Sequence, residues 1–402
     1  MQHRIVVLGA GYTGAVVAGR LAKRLHRDDV ALTLVNAEPD FVERVRLHEL
    51  AVGRRLTPRP LGEMFTGTGV ECRIGRVTAI DADRRAVAVT DADGRVEELA
   101  YDTLVYALGS GWDDRGVPGA AEYAHELASR PGALRLRERL ADLGAGQPVV
   151  VVGGGLTGLE AATEIAEARP DLSVALATRG RLGGWLSDKG RGHVGRVFGR
   201  LGITVHEDAP VTRVEADRVT TADGRIVPAA VTVWTAGFAV HPVAAATTLE
   251  VDDRGRIVVD DTLRSVSHPD VYAVGDAALA AGPGGQPLRM SCASGTPAAW
   301  KAADAIAARL TGGKLPTTHI RYFNQCVSLG RGDGLIQYVT ADDRSVDAAL
   351  TGRLAALYKE LVCKGAAWGV AHPTLGLPAR RRRVTRGTTR TDPAATTART
   401  TA

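Results

Sequence analysis

The sequence lacks the residue patterns of disulfide-stapled, metal-binding and membrane-spanning proteins. It has 4 cysteines in 402 residues, and Cys72, Cys292, Cys326 and Cys363 show neither a Cys-x-x-Cys pair nor the spacing of a metal site. Such scattered thiols are typical of reduced, structural cysteines in a cytoplasmic protein. No uninterrupted apolar stretch approaches the about 20 residues that a transmembrane helix needs. A strand-like run begins within a few residues of Met1, so we expect no signal peptide.

Aromatic residues and net charge are also low. Aromatic residues make up 4% of the chain, and the formal net charge is +5, much of it from an arginine-rich stretch at residues 380–386. A nucleic-acid-binding protein spreads its basic residues over a recognition element with a matching motif. Since no such motif is present, we expect no nucleic acid partner.

The chain does contain a repeated glycine-rich turn. In each copy an apolar, strand-like run (residues 5–8 and 149–152) leads through the turn into an apolar-periodic helix, and a second strand-like run follows at residues 30–35 or 173–177. Glycines at such a turn let the backbone approach a pyrophosphate, and the helix N-terminus presents unpaired N–H groups to it. We expect a dinucleotide at each turn, with a ligand-free β-α turn as the alternative at either one. The glycines are Gly9, Gly11 and Gly14 in the first copy and Gly153, Gly155 and Gly158 in the second.

The repeat extends beyond the glycines. Residues 90–110 and 220–238 each hold an Asp-Gly turn between two strand-like runs, followed by an apolar strand that ends in a small residue and glycine. Matching units in matching order predict an α/β fold with two Rossmann-like dinucleotide-binding domains and parallel sheets.

The last part of the chain is different. Residues 321–339 are typical of two strands around an Asp-Gly turn, and apolar residues at helical spacing follow between Leu350 and Val362. We expect this helix face to pack on its own domain or on the partner subunit of a homodimer. Peripheral contact with the inner face of a membrane is the alternative. Residues 377–402 have no apolar periodicity and are expected to form a disordered basic tail.

Two further stretches connect the repeat to a known group of flavoproteins. Residues 268–278 (HPDVYAVGDAA) form a strand-like run that ends in Gly-Asp, and residues 107–110 read ALGS. With the two glycine turns, the chain resembles the pyridine nucleotide-disulfide oxidoreductase superfamily, whose members have two dinucleotide-binding domains. The resemblance implies FAD at the first turn, NADH or NADPH at the second, and Asp276 as a ligand of the FAD ribityl chain. By itself, Asp276 is typical of a turn-forming aspartate.

The resemblance also implies a domain order. Because Asp276 lies far along the chain from Gly9, the FAD-binding domain is discontinuous and the NAD(P)H-binding domain is inserted between its halves. A helix predicted at residues 294–310 would aim its N-terminus at the pyrimidine edge of the flavin. The expected segments are residues 1–116 and 231–312 for FAD, 117–230 for NAD(P)H, and 313–376 for a smaller C-terminal α+β segment of strand hairpin and helix.

The subfamily is indicated by what surrounds the glycine turns. Disulfide reductases of this superfamily carry Cys-x-x-x-x-Cys after the first β-α-β unit, and residues 41–53 contain no cysteine. The runs at residues 116–127 (GVPGAAEYAHEL), 153–160 (GGGLTGLE), 234–237 (WTAG) and 272–278 (YAVGDAA) are similar to those of type II NADH dehydrogenases and apoptosis-inducing-factor-like reductases. The resemblance implies an enzyme that passes a hydride from NAD(P)H to N5 of FAD and then electrons to a quinone or other small acceptor.

Alternatives to that activity stay open. One is a ferredoxin or rubredoxin reductase with a protein acceptor, and another is a non-enzymatic redox-sensing flavoprotein. Type II NADH dehydrogenases usually carry a Gln-bearing run before the helix near the flavin, whereas residues 289–300 read RMSCASGTPAAW here. Electron acceptors other than a quinone therefore remain as alternatives. The fingerprint motifs of flavin monooxygenases do not occur between the two glycine turns.

The positions that would contact the nucleotide riboses also depart from the family pattern. Asn36 stands where the first unit should have an acid that bonds the FAD ribose. Thr178 stands at the equivalent place in the second unit, and Arg179 follows it. An acid there would bond the 2′-hydroxyl of NADH, whereas an arginine favours the 2′-phosphate of NADPH. We predict that NADPH is at least tolerated, with Arg179 pointing to solvent as the alternative.

The candidate site therefore has three parts, and no metal site is expected. Glu160 is the candidate catalytic residue, either beside the nicotinamide or as a helix glutamate that supports the surroundings of the anion site. Arg44, Arg46 and His48 are candidate neighbours of the acceptor, or else a solvated helix face. For FAD we predict contacts with Gly9, Gly11, Tyr12, Thr13, Gly14, Asn36, Ala37, Arg44, Val77, Ala107, Gly109, Gly275 and Asp276. For NAD(P)H we predict contacts with Gly153, Gly155, Leu156, Thr157, Gly158, Glu160, Thr178, Arg179 and Gly237.

Overall fold

A computed structural model describes residues 1–374 and 380–385. Its first large sheet contains the opening glycine turn, and every neighbouring pair of strands in it is parallel. The central strand is apolar throughout its last four residues because both of its faces are covered. The strands are β1 (His3–Leu8), β2 (Val30–Asn36), β3 (Val70–Ile74), β7 (Thr103–Tyr106) and β19 (Val271–Ala273), in the spatial order β19-β7-β1-β2-β3.

The second large sheet repeats this arrangement around the second glycine turn. It too is parallel between all neighbours. Its strands are β9 (Ala124–Glu126), β10 (Pro148–Val152), β11 (Ser173–Ala177), β12 (Thr204–His206) and β16 (Val231–Trp234), in the order β12-β11-β10-β16-β9. Because β16 pairs with β10, the domain boundary that sequence analysis placed between residues 230 and 231 falls ahead of a strand of this sheet. We propose a boundary after Trp234 instead.

Nine helices occur among the described residues. They are α1 (Tyr12–Arg24), α2 (Leu47–Ala51), α3 (Leu61–Met64), α4 (Ala120–Tyr123), α5 (Arg130–Ala141), α6 (Leu156–Ala168), α7 (Asp188–Arg200), α8 (Cys292–Thr311) and α9 (Arg353–Ala371). The alanine-rich α8 packs closely on α1, and Asp304 of α8 pairs with Arg20 and Arg24 at 2.6 and 2.8 Å. This helix begins two residues before the predicted Ser294, with Ser291 as its N-cap and Pro297 inside it.

Smaller sheets fill the spaces between these layers. The sequence repeat at residues 90–110 and 220–238 corresponds to equivalent antiparallel hairpins, β5–β6 and β14–β15. A two-stranded pair, Ser110–Trp112 with Phe238–Val240, joins the segments that leave β7 and β16. The strands are β4 (Arg76–Asp81), β5 (Ala86–Thr90), β6 (Val96–Ala100), β8 (Ser110–Trp112), β13 (Val211–Val214), β14 (Arg218–Thr221), β15 (Ile226–Pro228), β17 (Phe238–Val240), β18 (Ile257–Val258), β20 (Ala278–Leu279), β21 (Asn324–Ser328), β22 (Gly334–Val339) and β23 (Ser345–Thr351).

The C-terminal helix is oriented opposite to expectation. Most of the predicted apolar face is exposed, since Leu354, Leu357 and Leu361 are 68%, 56% and 60% exposed, and Leu350 lies on β23 instead of the helix. Small and apolar residues on the other face are buried instead, among them Ala355 and Cys363. Packing of the Leu face on its own domain was therefore wrong, because helical spacing shows which residues share a face but not which face is covered.

Part of the expected disordered tail is ordered. Arg382 continues the chain beside the end of α1, where its N–H donates to the Arg24 carbonyl and its carbonyl accepts from the His26 N–H. The Arg383 guanidinium pairs with Asp29 at 2.9 Å. The prediction of disorder is wrong for residues 380–385, and the rest of that prediction lies outside the described residues. Within residues 1–374 and 380–385, no helix has the length and apolarity needed to span a bilayer.

Candidate functional site

The first glycine turn leaves open space in front of α1. A Cβ on Gly14 would overlap the Gly9 carbonyl oxygen, and a Cβ on Gly9 would overlap the Ala107 carbonyl oxygen, so packing requires glycine at both positions. Gly9 also has φ +92°, in the left-handed region. A Cβ on Gly11, by contrast, meets nothing within 4 Å. Gly11 is the N-cap of α1 and no side chain caps it, so the free N–H groups of the first turn fit a pyrophosphate.

The second glycine turn has the same construction. A Cβ on Gly158 would overlap the Gly153 carbonyl oxygen, and Gly153 has φ +123° and lies against Thr235. Gly155, the uncapped N-cap of α6, again faces open space, with nothing within 4 Å of a Cβ. The fit to a second dinucleotide rests on the same observation as the first.

The predicted FAD residues come from distant parts of the chain to one place. Ser110 donates its hydroxyl to the Asp276 carboxylate at 2.6 Å. Gly275, at φ +72°, lies against Thr13, and a Cβ on Gly109 would lie 3.4 Å from the Arg44 guanidinium. A polar group thus stands at the carboxyl end of β7 and β19, where ligands of open α/β sheets bind.

Four other predicted FAD residues have different surroundings. Asn36 accepts the Ala10 N–H at 2.8 Å and donates to the Glu38 carbonyl at 2.7 Å, so its amide stabilises the glycine turn itself. Ala37 is exposed beside it. Val77 is buried on β4 in the apolar core of the first unit. Tyr12 is buried at the start of α1 with its ring edge against Phe41.

The predicted NAD(P)H residues lie around a cleft of about 1040 Å³. Gly153, Gly155, Thr178, Arg179 and Gly237 all line it, and Leu156 and Thr157 form the first turn of α6 behind them. The cleft also reaches Met290, two residues before α8. It therefore extends from the second glycine turn to the helix that was predicted to face the flavin.

Glu160 is not among the residues that line this cleft. Its side chain is buried between α2, α9 and β21, and one carboxylate oxygen accepts from Lys359 Nζ at 2.9 Å and from the Ser328 N–H at 3.0 Å. The other oxygen lies 3.9 Å from His48 Nδ1. Sequence reasoning singled out Glu160 and His48 separately. It missed Lys359, which is an ordinary lysine of an amphipathic helix until the fold brings it here.

Charge balance holds the Lys359 ammonium in this buried place. Burial, the largest single cause, would lower the pKa of Lys359, but the adjacent Glu160 carboxylate, together with Cys363 and Cys326, raises that pKa above its ordinary value. Lys359 also donates to the Cys326 carbonyl at 3.2 Å. Beside it is a cavity of about 260 Å³, lined by His48, Ser328, Lys359 and Cys363 among others. His48 Nε2 is buried with no hydrogen-bond partner among the described residues.

Arg46 does not belong to a solvated helix face. It is 8% exposed and pairs with Glu49 and Glu360, each at 2.9 Å, which ties α2 to α9. Arg46 is therefore a structural cross-link, whereas His48 faces the cavity.

Burial raises the pKa of the cysteine thiols near the cavity. Burial, followed by the charge of Asp276, raises the pKa of Cys292 to about 11, and burial raises that of Cys326 to about 11. All four cysteines are free. Thiolate chemistry is therefore unfavourable here. Within the described part of the chain, no group of three or more His, Cys, Asp or Glu side chains could hold a metal ion.

Comparison with known proteins agrees with this geometry. The family model described as pyridine nucleotide-disulphide oxidoreductase matches residues 3–307. An NADH dehydrogenase-like protein of Mycobacterium tuberculosis is 31% identical over 319 residues, which are 73% of this chain and 77% of that protein. The demethylphylloquinone reductase of Synechocystis is 26% identical over 372 residues, 89% of this chain and 92% of that protein.

The fold is also similar to that of solved structures. The solved structure of NDH2 from Plasmodium falciparum in complex with NADH superposes with a TM-score of 0.80 at 14% identity, covering 93% of this chain and 97% of that one. The predicted fold of two Rossmann-like domains is confirmed, and so is the predicted resemblance.

Proposed function

Because the chain belongs to the pyridine nucleotide-disulphide oxidoreductase family, we propose that it is an FAD-dependent NAD(P)H dehydrogenase that passes electrons to a quinone. The observation that carries the proposal is the pair of equivalent glycine turns, in which Gly11 and Gly155 leave open space in front of uncapped helices. The names of the Mycobacterium and Synechocystis relatives support an NADH-dependent and a quinone-reducing activity, respectively.

The first unit has groups suited to FAD. The N–H groups around Gly11 and Thr13 would bond the pyrophosphate, and Asp276, now held by Ser110, would bond the ribityl chain. The N-terminus of α8 would lie at the pyrimidine edge, where it stabilises negative charge. FAD, when bound, supplies the atom that accepts a hydride and later returns the electrons.

The second unit positions the electron donor. The cleft beside Gly155 extends to Met290, so a nucleotide held there by its pyrophosphate has room to lay its nicotinamide towards α8. Holding the two reactants together removes the entropy loss of a bimolecular encounter, worth about 7 kcal/mol or more of the barrier. In this step the chain contributes orientation, and no side chain needs to form a covalent bond.

Reduction of a quinone to a quinol also consumes protons from solvent, and we propose that the buried cluster of His48, Glu160 and Lys359 relays them to the ring. Lys359 stays charged because its pKa is raised, so it can donate a hydrogen bond to an oxygen that gains negative charge. Glu160, which bonds Lys359, is on α6, the helix that begins at the second glycine turn. We propose that the quinone ring binds at the cavity beside Lys359.

The exposed face of α9 points to the source of the quinone. Leu357 and Arg353 line the cavity, and Leu357 continues outward into the exposed apolar face with Leu354 and Leu361. We propose that this face rests on the inner surface of the membrane, where quinones dissolve. Lys364, with a side chain 69% exposed, would meet anionic lipid.

Vesicle sedimentation tests the membrane contact. The protein should sediment with vesicles that contain phosphatidylglycerol, and Leu357→Glu with Leu361→Glu should abolish this. The control is Val96→Glu, because Val96 is 67% exposed on β6, in a different part of the fold. If the double variant instead converts a dimer to a monomer while vesicle binding is absent throughout, the face is a subunit interface and the membrane proposal is wrong.

Turnover with a panel of acceptors tests the function itself. The purified flavoprotein should oxidise NADH or NADPH with a short-chain naphthoquinone or benzoquinone as acceptor. Turnover with ferredoxin alone would identify a ferredoxin reductase, and a stable, unreactive reduced protein would identify a redox sensor. Either result would overturn the proposal.

A further inference from the structure

We propose that the cleft of the second unit selects NADPH over NADH, with Arg179 as the residue that recognises the 2′-phosphate and Arg181 assisting it. The inference rests on the proposed function only in taking this cleft as the nicotinamide nucleotide site. It goes beyond that function by identifying NADPH as the electron donor.

The position that would exclude NADPH carries no acid. Where an NADH-specific site places a carboxylate, at the end of β11, this chain has Thr178. Thr178 is 6% exposed, and its side chain lies directly against Gly154 of the glycine turn. Its backbone is fixed too, since the N–H donates to the His206 carbonyl at 3.0 Å and the carbonyl accepts from Ala209 at 2.8 Å. A neutral, fixed side chain here does not repel a phosphate.

The next residues bring unpaired positive charge to the same place. Arg179 and Arg181 are exposed and line the cleft. Neither side chain makes a hydrogen bond or an ion pair with any residue in the described ranges. Two other arginines that line the cleft are paired: Arg115 with Asp113 at 3.2 Å, and Arg256 with Asp252 at 2.7 Å.

The acids near this corner do not cancel that charge. Glu207 and Asp208 follow β12 and are not among the residues that line the cleft, and the Glu207 carboxylate accepts the Leu182 N–H at 2.8 Å. Asp253 lines the cleft, but it is adjacent to Arg254, which lines it as well. Two unpaired guanidinium groups next to a glycine turn form a site for a phosphate monoester. NADPH has such a group on its adenosine ribose, and NADH has a hydroxyl there.

Binding of two nucleotide fragments tests the inference without any redox step. Adenosine 2′,5′-bisphosphate carries the 2′-phosphate and AMP does not, and calorimetry on the purified flavoprotein measures both. We expect the bisphosphate to bind at least about tenfold more tightly, because one charge-assisted hydrogen bond contributes about that much. Arg179→Ala should lower its affinity about ten- to hundredfold and leave AMP unchanged.

Two further variants sharpen the test. Arg196→Ala removes an exposed arginine of α7 that does not line the cleft, so it should leave both affinities as they are. Thr178→Glu restores the missing acid and should invert the preference, in binding and in the ratio of kcat/KM for NADPH and NADH. The inference would be overturned if the unchanged protein bound the two fragments equally. It would also be overturned if Arg179→Ala left the ratio of the two fragment affinities unchanged.

The outcome is separable from that of the proposed function. The fragments lack nicotinamide, and no acceptor is present, so a preference for the bisphosphate stands whether or not quinone is reduced. Conversely, quinone turnover with NADH but no preference for the bisphosphate would remove this inference alone.

Discussion

Lys359 and Glu160 form a buried ion pair with 2.9 Å between Nζ and Oε1, and this pair joins the C-terminal helix to the helix of the second glycine turn. The side chains are 15% and 5% exposed. The Ser328 N–H bonds the same carboxylate oxygen, and His48 approaches the other. The pair thus lies where α2, α6, β21 and α9 meet, and it connects the stability of this junction with the chemistry of the adjoining cavity.

Removal of one member of the pair should destabilise the fold more than removal of both. Glu160→Gln leaves the buried Lys359 ammonium without its counter-charge, and Lys359→Met does the same to the Glu160 carboxylate. Each single variant should lower the free energy of unfolding by about 3–5 kcal/mol. The double variant leaves no such charge and should recover much of that loss. Denaturant midpoints of the four proteins form the cycle, and additive single effects would contradict the buried pair.

Loss of the Glu160 carboxylate should slow the reduction of a quinone more than the reduction of an acceptor that takes electrons without protons. Glu160→Gln should lower kcat with a quinone about a hundredfold, the lower range for loss of assisted proton transfer. It should leave turnover with ferricyanide, which takes electrons without protons, within about twofold of the parent protein. Glu164→Gln is the control, because Glu164 is buried one turn along α6 and pairs with Arg54 instead. Equal losses with both acceptors would show that Glu160 acts only on the donor or on the fold.

Glycines that face open space should separate folding from cofactor binding. Gly11 and Gly155 have φ −72° and −77°, which alanine adopts, and a Cβ there meets no protein atom within 4 Å. Gly11→Ala should fold but purify with little FAD, because the methyl group stands in front of the helix N-terminus. Gly155→Ala should keep its FAD and lose at least about tenfold in affinity for the nicotinamide nucleotide.

Flavin content by absorbance and nucleotide affinity by titration measure the two losses. Gly14→Ala provides the contrasting case, since its Cβ would overlap the Gly9 carbonyl oxygen and should destabilise the first unit as well. Loss of FAD from Gly155→Ala would contradict the assignment of one nucleotide to each turn.

Stability should fall on acidification, partly through His125 of β9. Burial, followed by the charges of Arg139 and Arg135, lowers the pKa of His125 below its ordinary value of about 6.5. The unfolded chain then binds the proton more tightly, so the stability present above about pH 6.5 is lost as the pH falls towards the folded-state pKa. His125→Gln should reduce the slope of the melting temperature between about pH 7 and pH 5. The exposed His319 supplies the control, and an unchanged slope in His125→Gln would refute the assignment.

Local sequence signals predicted the parts of the fold that local physics determines. A β-α-β unit is specified within about thirty residues by the apolar run from Ile5 to Leu8, the glycines and the helical period that follows. The second copy of the same pattern supports this prediction. Gly9 and Gly14 were recognisable because backbone overlap forbids any other residue there. The position of Asp276 came from the resemblance, since Gly-Asp alone is typical of any turn.

Convergence of distant residues was not predictable from the sequence. His48, Glu160 and Lys359 are separated by more than a hundred residues at each step, and no period or spacing connects them. Arg46 has the sequence appearance of a surface residue, yet three carboxylates surround it: Glu49 of α2, Glu360 of α9, and Glu43 from the segment before α2. The leucines of α9 were expected to pack on their own domain, but they are exposed. An amphipathic pattern predicts that one helix face is covered, but it does not show which part of the protein, membrane or partner covers it.

Anaerobic titration of the purified protein tests the central claim most directly. The claim predicts that the protein is yellow as isolated, that about one equivalent of NADPH or NADH per FAD bleaches the flavin absorbance, and that a quinone restores it without oxygen. A colourless protein that takes up no FAD would contradict the account, and so would a flavin that neither nucleotide reduces.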